Sequence, residues 1–369
     1  MFRTLHYILV FSFIIFKQLF ADDCLVTKFE QVFDATRNCD DISIVNLTVP
    51  SGNTLKLNLT DGARVVFKGK TTFEYSYPWR GPLVTINGTR LTIEGEDGHI
   101  FDGQGQYYWD GLGDHGVLKP QFFTVQTFHS VMKNIYVLNS PHDVLQITNS
   151  DNVTYFNWFI NDTAGNEDVA PKGKYGKNTD AFDIWNSTHV LIHDSVVYNQ
   201  DDCVAIRCGS DITVHDMECY GTHGLSISVG FSNDSIKDNP LNTLSNVHIS
   251  NSIVHGGENV IHIKTHNEGG YGIIENVTYE NLDVKDVKNY GIFIEQNYPS
   301  HGEPLDNVPI KNLKILNIWG NVEPNAIAVS VVCAEDGCDN WHWQNIGLKG
   351  SKKNNKCNYK PIGTTVCDN

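Results

Sequence analysis

Three aspartates and a histidine stand along this chain at a nearly constant step. Asp180 precedes the pair Asp201-Asp202 by 21 residues, and His223 follows Asp201 by 22. Carboxyl groups crowded together cannot all ionise freely, so at least one keeps its proton near working pH while a neighbour stays charged. An acid beside a carboxylate suits cleavage of a glycosidic bond: one protonates the leaving oxygen, the other activates water or attacks. An imidazole above the pair tunes or relays the acid's proton. A bare Asp-Asp is usually a solvated turn, so the chemistry depends on the sequence step also being a step in space.

The rest of the chain supplies such a step. An apolar-x-apolar-x-Asn/Asp pattern begins at Ile135, Val153, Val190, Ile212, Val247, Val277 and Leu313, with spacings of 18, 37, 22, 35, 30 and 36. Period-two alternation, β-branched residues and frequent Gly, Asn and Asp breaks favour strands over helices. A second set of short strands accompanies it: Val204-Ala205-Ile206, Leu225-Ser226-Ile227, Ile261-His262-Ile263 and Ile292-Phe293-Ile294. Irregular spacings of about 20 to 40 residues describe a solenoid whose coils carry loops of variable length. The predicted fold is all-β, a right-handed parallel β-helix with apolar ladders inside. One coil raises the chain by about 4.7–4.9 Å, which brings Asp180, Asp201-Asp202 and His223 onto three successive coils, one above another.

Composition places this solenoid outside the cell. Arg3 followed by the apolar run Tyr7 to Phe16 and by Ala21 reads as a signal peptide over residues 1–21, too short for a membrane anchor. Residues 22–369 then form a single catalytic domain, since no linker or charge block divides them. Eight sequons, at Asn46, Asn58, Asn87, Asn152, Asn161, Asn186, Asn233 and Asn276, agree with a glycosylated secreted protein. The nine cysteines include the close pairs Cys24/Cys39, Cys333/Cys338 and Cys357/Cys367. Three more, Cys203, Cys208 and Cys219, lie mid-chain, so one thiol is left over. Lys and Arg number 27 against 43 Asp and Glu; without the leader the balance is 25 against 43, or −18. That excess of acid argues against nucleic-acid or anionic-membrane partners. It also means that a polyanionic substrate must be drawn in by a local basic patch.

The segments Asn178-Thr179-Asp180-Ala181-Phe182-Asp183, Gln200-Asp201-Asp202-Cys203-Val204-Ala205-Ile206, Thr222-His223-Gly224-Leu225-Ser226-Ile227 and Ile263-Lys264-Thr265 come in an order that resembles the polygalacturonases. These are pectin-cleaving glycoside hydrolases with a right-handed β-helix fold. Ile93-Glu94-Gly95 through Trp109-Asp110-Gly111 resembles their lead-in. The resemblance implies Asp201 as general acid, with Asp180 and Asp202 holding the attacking water for an inverting hydrolysis supported by His223. Lys264 and Tyr290 would hold the sugar beyond the cut, and Asn178 belongs to the same substrate-binding set. It further implies a Cys203/Cys219 disulfide, leaving Cys208 unpaired as a buried filler. Spacing alone does not imply inversion, because a one-coil gap is nearer the ~5 Å of retaining enzymes than the ~6.5–9.5 Å of inverting ones.

Two positions depart from the family pattern. His262 stands where an arginine usually precedes the lysine by two, and an imidazole cannot replace a forked guanidinium against a carboxylate. Arg207-Cys208-Gly209 replaces the usual Asn-Ser/Asp-Gly after the Asp-Asp strand. Alternation turns His262, Lys264 and Arg207 outward and Cys208 inward, and puts Arg207 in the file of Lys264. Two outcomes are open for Arg207: partial return of the charge that His262 lacks, or a salt bridge to a nearby acid. The overall expectation is a monomeric endo-polygalacturonase acting on pectic polysaccharide at mildly acidic pH without cofactor. The alternatives are a catalytically silent pectin-binding relative and a calcium-dependent pectate lyase. No metal is assigned, because the three aspartates lack the dense oxygen-ligand loop of a calcium site.

Overall fold

Paired asparagines bend the chain at both ends of the repeated strand. Asn246 and Asn251, Asn276 and Asn281, Asn312 and Asn317, and Asn340 and Asn345 all have φ between 50° and 57°. That left-handed conformation costs most L-residues about 1–2 kcal/mol, and Asn is among the few that visit it readily because its short side chain bonds locally. Here the amides bond up the stack instead. Asn281 Nδ2 donates to Asn251 Oδ1 (3.0 Å), Asn317 to Asn281 (2.9 Å) and Asn345 to Asn317 (2.8 Å). The other corner repeats this through Asn276, Asn312 and Asn340.

These corners produce a right-handed parallel β-helix in which every strand pairing recorded is parallel. The computed structural model describes residues 24–368 except 235, 237, 238 and 268, so the expected leader at 1–21 lies outside it. Long strands such as Ser187–Tyr198, Gly209–Tyr220, Thr243–His255 and Ile273–Val287 wrap two sides of each coil. Short strands form the third side: Phe182–Trp185, Asp202–Ile206, Gly224–Val229, Asn259–His266 and Tyr290–Tyr298. Inside run apolar ladders, for example Val190, Ile212, Val247, Val277 and Leu313, and Ile184, Ile206, Ile227, Ile263 and Ile294, all buried. Each such side chain contributes about 1.5–3 kcal/mol by leaving water. At the N-terminal end the helix Val32–Asn38 covers the first coils with Val32, Ala35 and Thr36, and the Cys24–Cys39 disulfide ties it down.

One copy of the sequence repeat is misplaced. Val153 pairs with Ser130, and Ile135 with Trp158. The neighbour of Val153–Asn157 is therefore Ser130–Asn134, a step of 23 residues in place of 18. A serine fills the expected apolar position because its hydroxyl is fully used: Ser130 Oγ accepts from Leu91 N (2.9 Å) and donates to Phe128 O (2.7 Å). A buried hydroxyl with both partners present carries little of the penalty that would otherwise exclude it.

The corner ladder yields a stability test. Asn281→Ala removes two stacked hydrogen bonds and leaves Cβ in the left-handed region, so a loss of about 1–2 kcal/mol is expected in denaturant unfolding. Asn281→Gly keeps the backbone relaxed and should lose clearly less; equal losses would show that the corner conformation is not the source.

Candidate active site

The site residues stand on, or just before, consecutive short strands held in parallel register. Phe182 pairs with Val204, Val204 with Leu225, and Leu225 with Ile261. Backbone bonds carry the register into the preceding turns: Ala181 N donates to Asp202 O (2.9 Å) and His223 N to Asp201 O (2.8 Å). Buried polar groups stiffen these turns. Asn199 Nδ2 donates to both Thr179 O and Asp202 O, and Thr222 Oγ1 to Asp201 O. The next strand starts at Gly224, where φ is +127° and any Cβ would lie 2.9 Å from Val260 O. Only glycine fits this backbone beneath Asn259 and Val260 of the next coil.

Asp180, Asp201 and Asp202 each offer a carboxylate oxygen within 4.8 Å of the others, as the solenoid step requires. All three are buried and open on a cleft of about 620 Å³. Lys264 Nζ lies 2.8 Å from Asp202 Oδ2, and Ser226 Oγ donates to Asp202 Oδ1 (2.5 Å). His223 Nδ1 lies 3.1 Å from Asp201 Oδ1, while Asn178 Nδ2 donates to Asp201 Oδ2 (3.2 Å). A larger cavity of about 840 Å³ near the N-terminal end, lined by Arg64, Lys68, Asp41, Glu94, Glu96 and Asp97, pairs Arg64 with Asp41 and Glu94 and Lys68 with Glu96, and among the described residues holds no acidic triad like this one.

The expected split in acidity is present, but its members differ from the resemblance. Burial, then the charges of Asp201, Asp183 and Asp202, raise Asp180 well above an ordinary carboxyl. Burial also works to raise Asp201, but the imidazolium of His223, and more weakly Lys264, outweigh it and hold Asp201 below the usual range. His223 is correspondingly pushed up to about 9, since Asp201 and Glu258 outweigh the cost of its burial. Burial and like charge thus favour a proton on Asp180, whereas His223 favours an ionised Asp201. The reason is local: Asp201 faces a cation directly, whereas the nearest cation to Asp180 is Arg207 at 3.9 Å, which is nearer to Asp183. A metal is a poor addition here, because the Lys264 ammonium and His223 imidazolium already take the positions where a cation would bind Asp202 and Asp201.

The two unusual residues both line the cleft. Arg207 follows Ile206, which pairs with Ile227, and Ser228 pairs with Lys264, so Arg207 and Lys264 share one outward file. Its guanidinium is bound to Asp183 Oδ1 and Oδ2 (3.2 and 3.4 Å) and lies over the contacting rings of Trp185 and Phe231 (5.6 and 4.9 Å). The local salt bridge is thus the arrangement formed. It lies two coils, about 10 Å, before His262. His262 Nε2 sits 3.0 Å from Glu295 Oε1. Tyr290 stacks on Phe293 (4.1 Å) and is not among the residues lining the cleft; Tyr298 lines it, 5.4 Å from Lys264 Nζ. Disulfides join Cys24–Cys39, Cys203–Cys219, Cys333–Cys338 and Cys357–Cys367. Cys208 is a buried free thiol whose Sγ accepts from Asn186 N.

Sequence reasoning missed Asp183, Ser226, Glu295 and Tyr298. Alternation along Phe182–Trp185 and Leu225–Ile227 would have turned Asp183 and Ser226 outward into the file of His262. The same alternation, with Ile292 and Ile294 inward, would have turned Glu295 outward into the file of Lys264; Tyr298 carries no such signal, because the register shifts between Lys264 and His266.

Similarity to known proteins agrees with this geometry. The chain is 38% identical over 348 residues to a polygalacturonase of Phaedon cochleariae, covering 92% of each. It is 37% identical over 333 residues to endopolygalacturonase I of Aspergillus aculeatus, covering 89% of this chain and 84% of the relative. Its structure superposes on endopolygalacturonase I of Stereum purpureum, solved with two galacturonates, with a TM-score of 0.82 and 31% identity over 92% of this chain and 99% of that one. Residues 39–367 match the sequence profile of glycosyl hydrolases family 28, and with its crowded aspartates on consecutive coils the chain belongs to that family.

Proposed function

We propose that this glycoside hydrolase is a polygalacturonase that cuts α-1,4-galacturonosyl bonds within pectin, acting outside the cell as a monomer. The observation that carries the reading is the carboxylate triad within 4.8 Å, flanked by the His223 imidazolium and the Lys264 ammonium. Four disulfides favour an oxidising compartment. Internal cutting is supported by the length of the cleft. Past Asp143 it adjoins a second cavity of about 310 Å³ with which it shares Asp114, Gln121 and His142, and which reaches Arg80 and Lys119. Several sugars on the Asp180 side of the cut can lie along it.

Asp201 delivers a proton to the leaving glycosidic oxygen. His223, 3.1 Å away and a quarter exposed, supplies that proton to Asp201 and is recharged from solvent. Asp180 and Asp202 hold the attacking water: two oxygens up to 4.8 Å apart can each bond one water at about 2.8 Å. Asp202 takes the proton that the water loses. Attack from that pair, with Asp201 on the leaving oxygen, inverts the anomeric centre. Lys264, beside Asp202 and Tyr298, steadies the sugar near the cut.

Asp201→Asn should lower kcat on polygalacturonate about 10²–10⁴-fold, the range for a lost general acid, with KM nearly unchanged in a reducing-end assay. NMR of the first-formed product should show the inverted anomer. Retention would reject the water-holding role of Asp180 and Asp202.

Rising pH makes the cleft more negative twice. Asp183, raised to about 7 by burial despite Arg207, gains charge, and His223 loses its proton near 9. Binding of a polyanion and acid catalysis both weaken, so kcat/KM should peak at mildly acidic pH and fall above about 7. A flat profile from pH 4 to 8 would contradict this assignment of charges.

A further inference from the structure

Beyond the catalytic aspartates the cleft wall offers Lys264, whose charge Asp202 already balances at 2.8 Å. His262 follows Asp183, Ala205 and Ser226 in one file, two coils past the Asp202 strand, on the side where Lys264 stands. Its side chain is 9% exposed, and its Nε2 lies 3.0 Å from Glu295 Oε1. Glu295 is 1% exposed, and its second oxygen accepts from Ser300 Oγ (2.5 Å). The imidazole is stacked on Phe293 at 4.8 Å and meets Tyr298 edge-on at 6.2 Å. Burial holds His262 below its ordinary pKa; the pull of Glu295 does not overcome it, and Lys264 adds to the lowering. A neutral ring that donates Nε2–H to a carboxylate keeps Nδ1 as an acceptor only, so it has no proton for an anionic ligand.

Neighbouring cations are already committed. Lys264 is bound to Asp202 at 2.8 Å, and Arg207 to Asp183 at 3.2 Å two coils away. A free carboxylate seated against His262 would give up its hydration, reach only the remaining N–H groups of a Lys264 ammonium whose charge Asp202 already balances, and approach the buried Glu295. A methyl ester brings no charge, can accept a hydrogen bond, and presents a methyl group to the aromatic faces of Tyr298 and the stacked His262–Phe293 pair.

We infer that the subsite beyond the cut selects a methyl-esterified galacturonate over the free acid, with the His262–Glu295 pair as the specificity determinant. The preferred polymer is then partly esterified pectin. This rests on the hydrolase reading of the same cleft.

The test is end-group analysis. The enzyme digests randomly half-esterified pectin, and tandem mass spectrometry identifies the sugar at each new non-reducing end, the one that occupied this subsite. Esterified sugars should be enriched there several-fold over their share of the polymer, a result that needs no variant. His262→Arg restores a forked cation and should shift the ratio of kcat/KM, pectin over polygalacturonate, toward polygalacturonate by about tenfold, the worth of one hydrogen bond to a charged group. New non-reducing ends with free acids at or above their share overturn the inference while leaving the hydrolase intact. Hydrolysis of neither polymer overturns the hydrolase reading, and this inference with it.

Discussion

Parallel backbone pairing between coils, at a rise of about 4.8 Å, is the constraint from which the rest follows. It forces side chains on successive turns into a spacing that ionised carboxylates would avoid in solution. Asp180 and Asp202 cannot relax apart, because Ala181 N is bonded to Asp202 O, and Asn199 clamps Thr179 O to Asp202 O. The repulsion is therefore retained and, together with burial, raises the pKa of Asp180. An active site of this kind needs a scaffold whose own bonding exceeds that repulsion, and a long ladder of parallel strands with apolar files inside provides it.

The buried charge is balanced piece by piece. Lys264 faces Asp202, His223 faces Asp201 and Arg207 faces Asp183, while Asp180 stands farthest from a cation and is raised well above an ordinary carboxyl. Each cation comes from a strand or turn other than that of its acid, so the balance exists only when several coils are stacked. Removing one partner would strand a buried charge, which typically costs more than the pair contributes. The same balance explains how a chain with a net charge of −16 presents a cleft to a polyanion. Cations are concentrated where the acids of the site already require them, and His223 adds a further positive charge below about pH 9.

The repeat was legible because Asn and Asp have a distinct backbone role. They mark left-handed corners, and their spacing reports coil boundaries. It failed at Ser130, where a hydrogen-bonded hydroxyl replaced the apolar side chain that the pattern expects. The site residues Asp180, Asp201, Asp202, His223 and Lys264 were legible because alternation and coil length together give both facing and height. Tyr290 rested on the family resemblance alone, since it has the parity of the inward Ile292 and Ile294; it stacks on Phe293 while Tyr298 lines the cleft. Which of two nearby aromatics reaches the cleft depends on side-chain packing across coils, and no local period encodes that.

The amino-acid sequence by itself determined the class of fold, the face that carries the chemistry and the approximate stacking of the aspartates, since each follows from periodicity along one chain; closeness along the chain indicated the Cys24/Cys39, Cys333/Cys338 and Cys357/Cys367 pairs. Tertiary structure alone decided which carboxyl is raised and which lowered, that Arg207 is committed to Asp183, and that His262 rests on Glu295. Those outcomes depend on distances of about 3 Å between residues up to 33 positions apart. Electrostatic interaction is steep in distance and in burial, so a pattern that ranks residues by coil cannot rank them by charge.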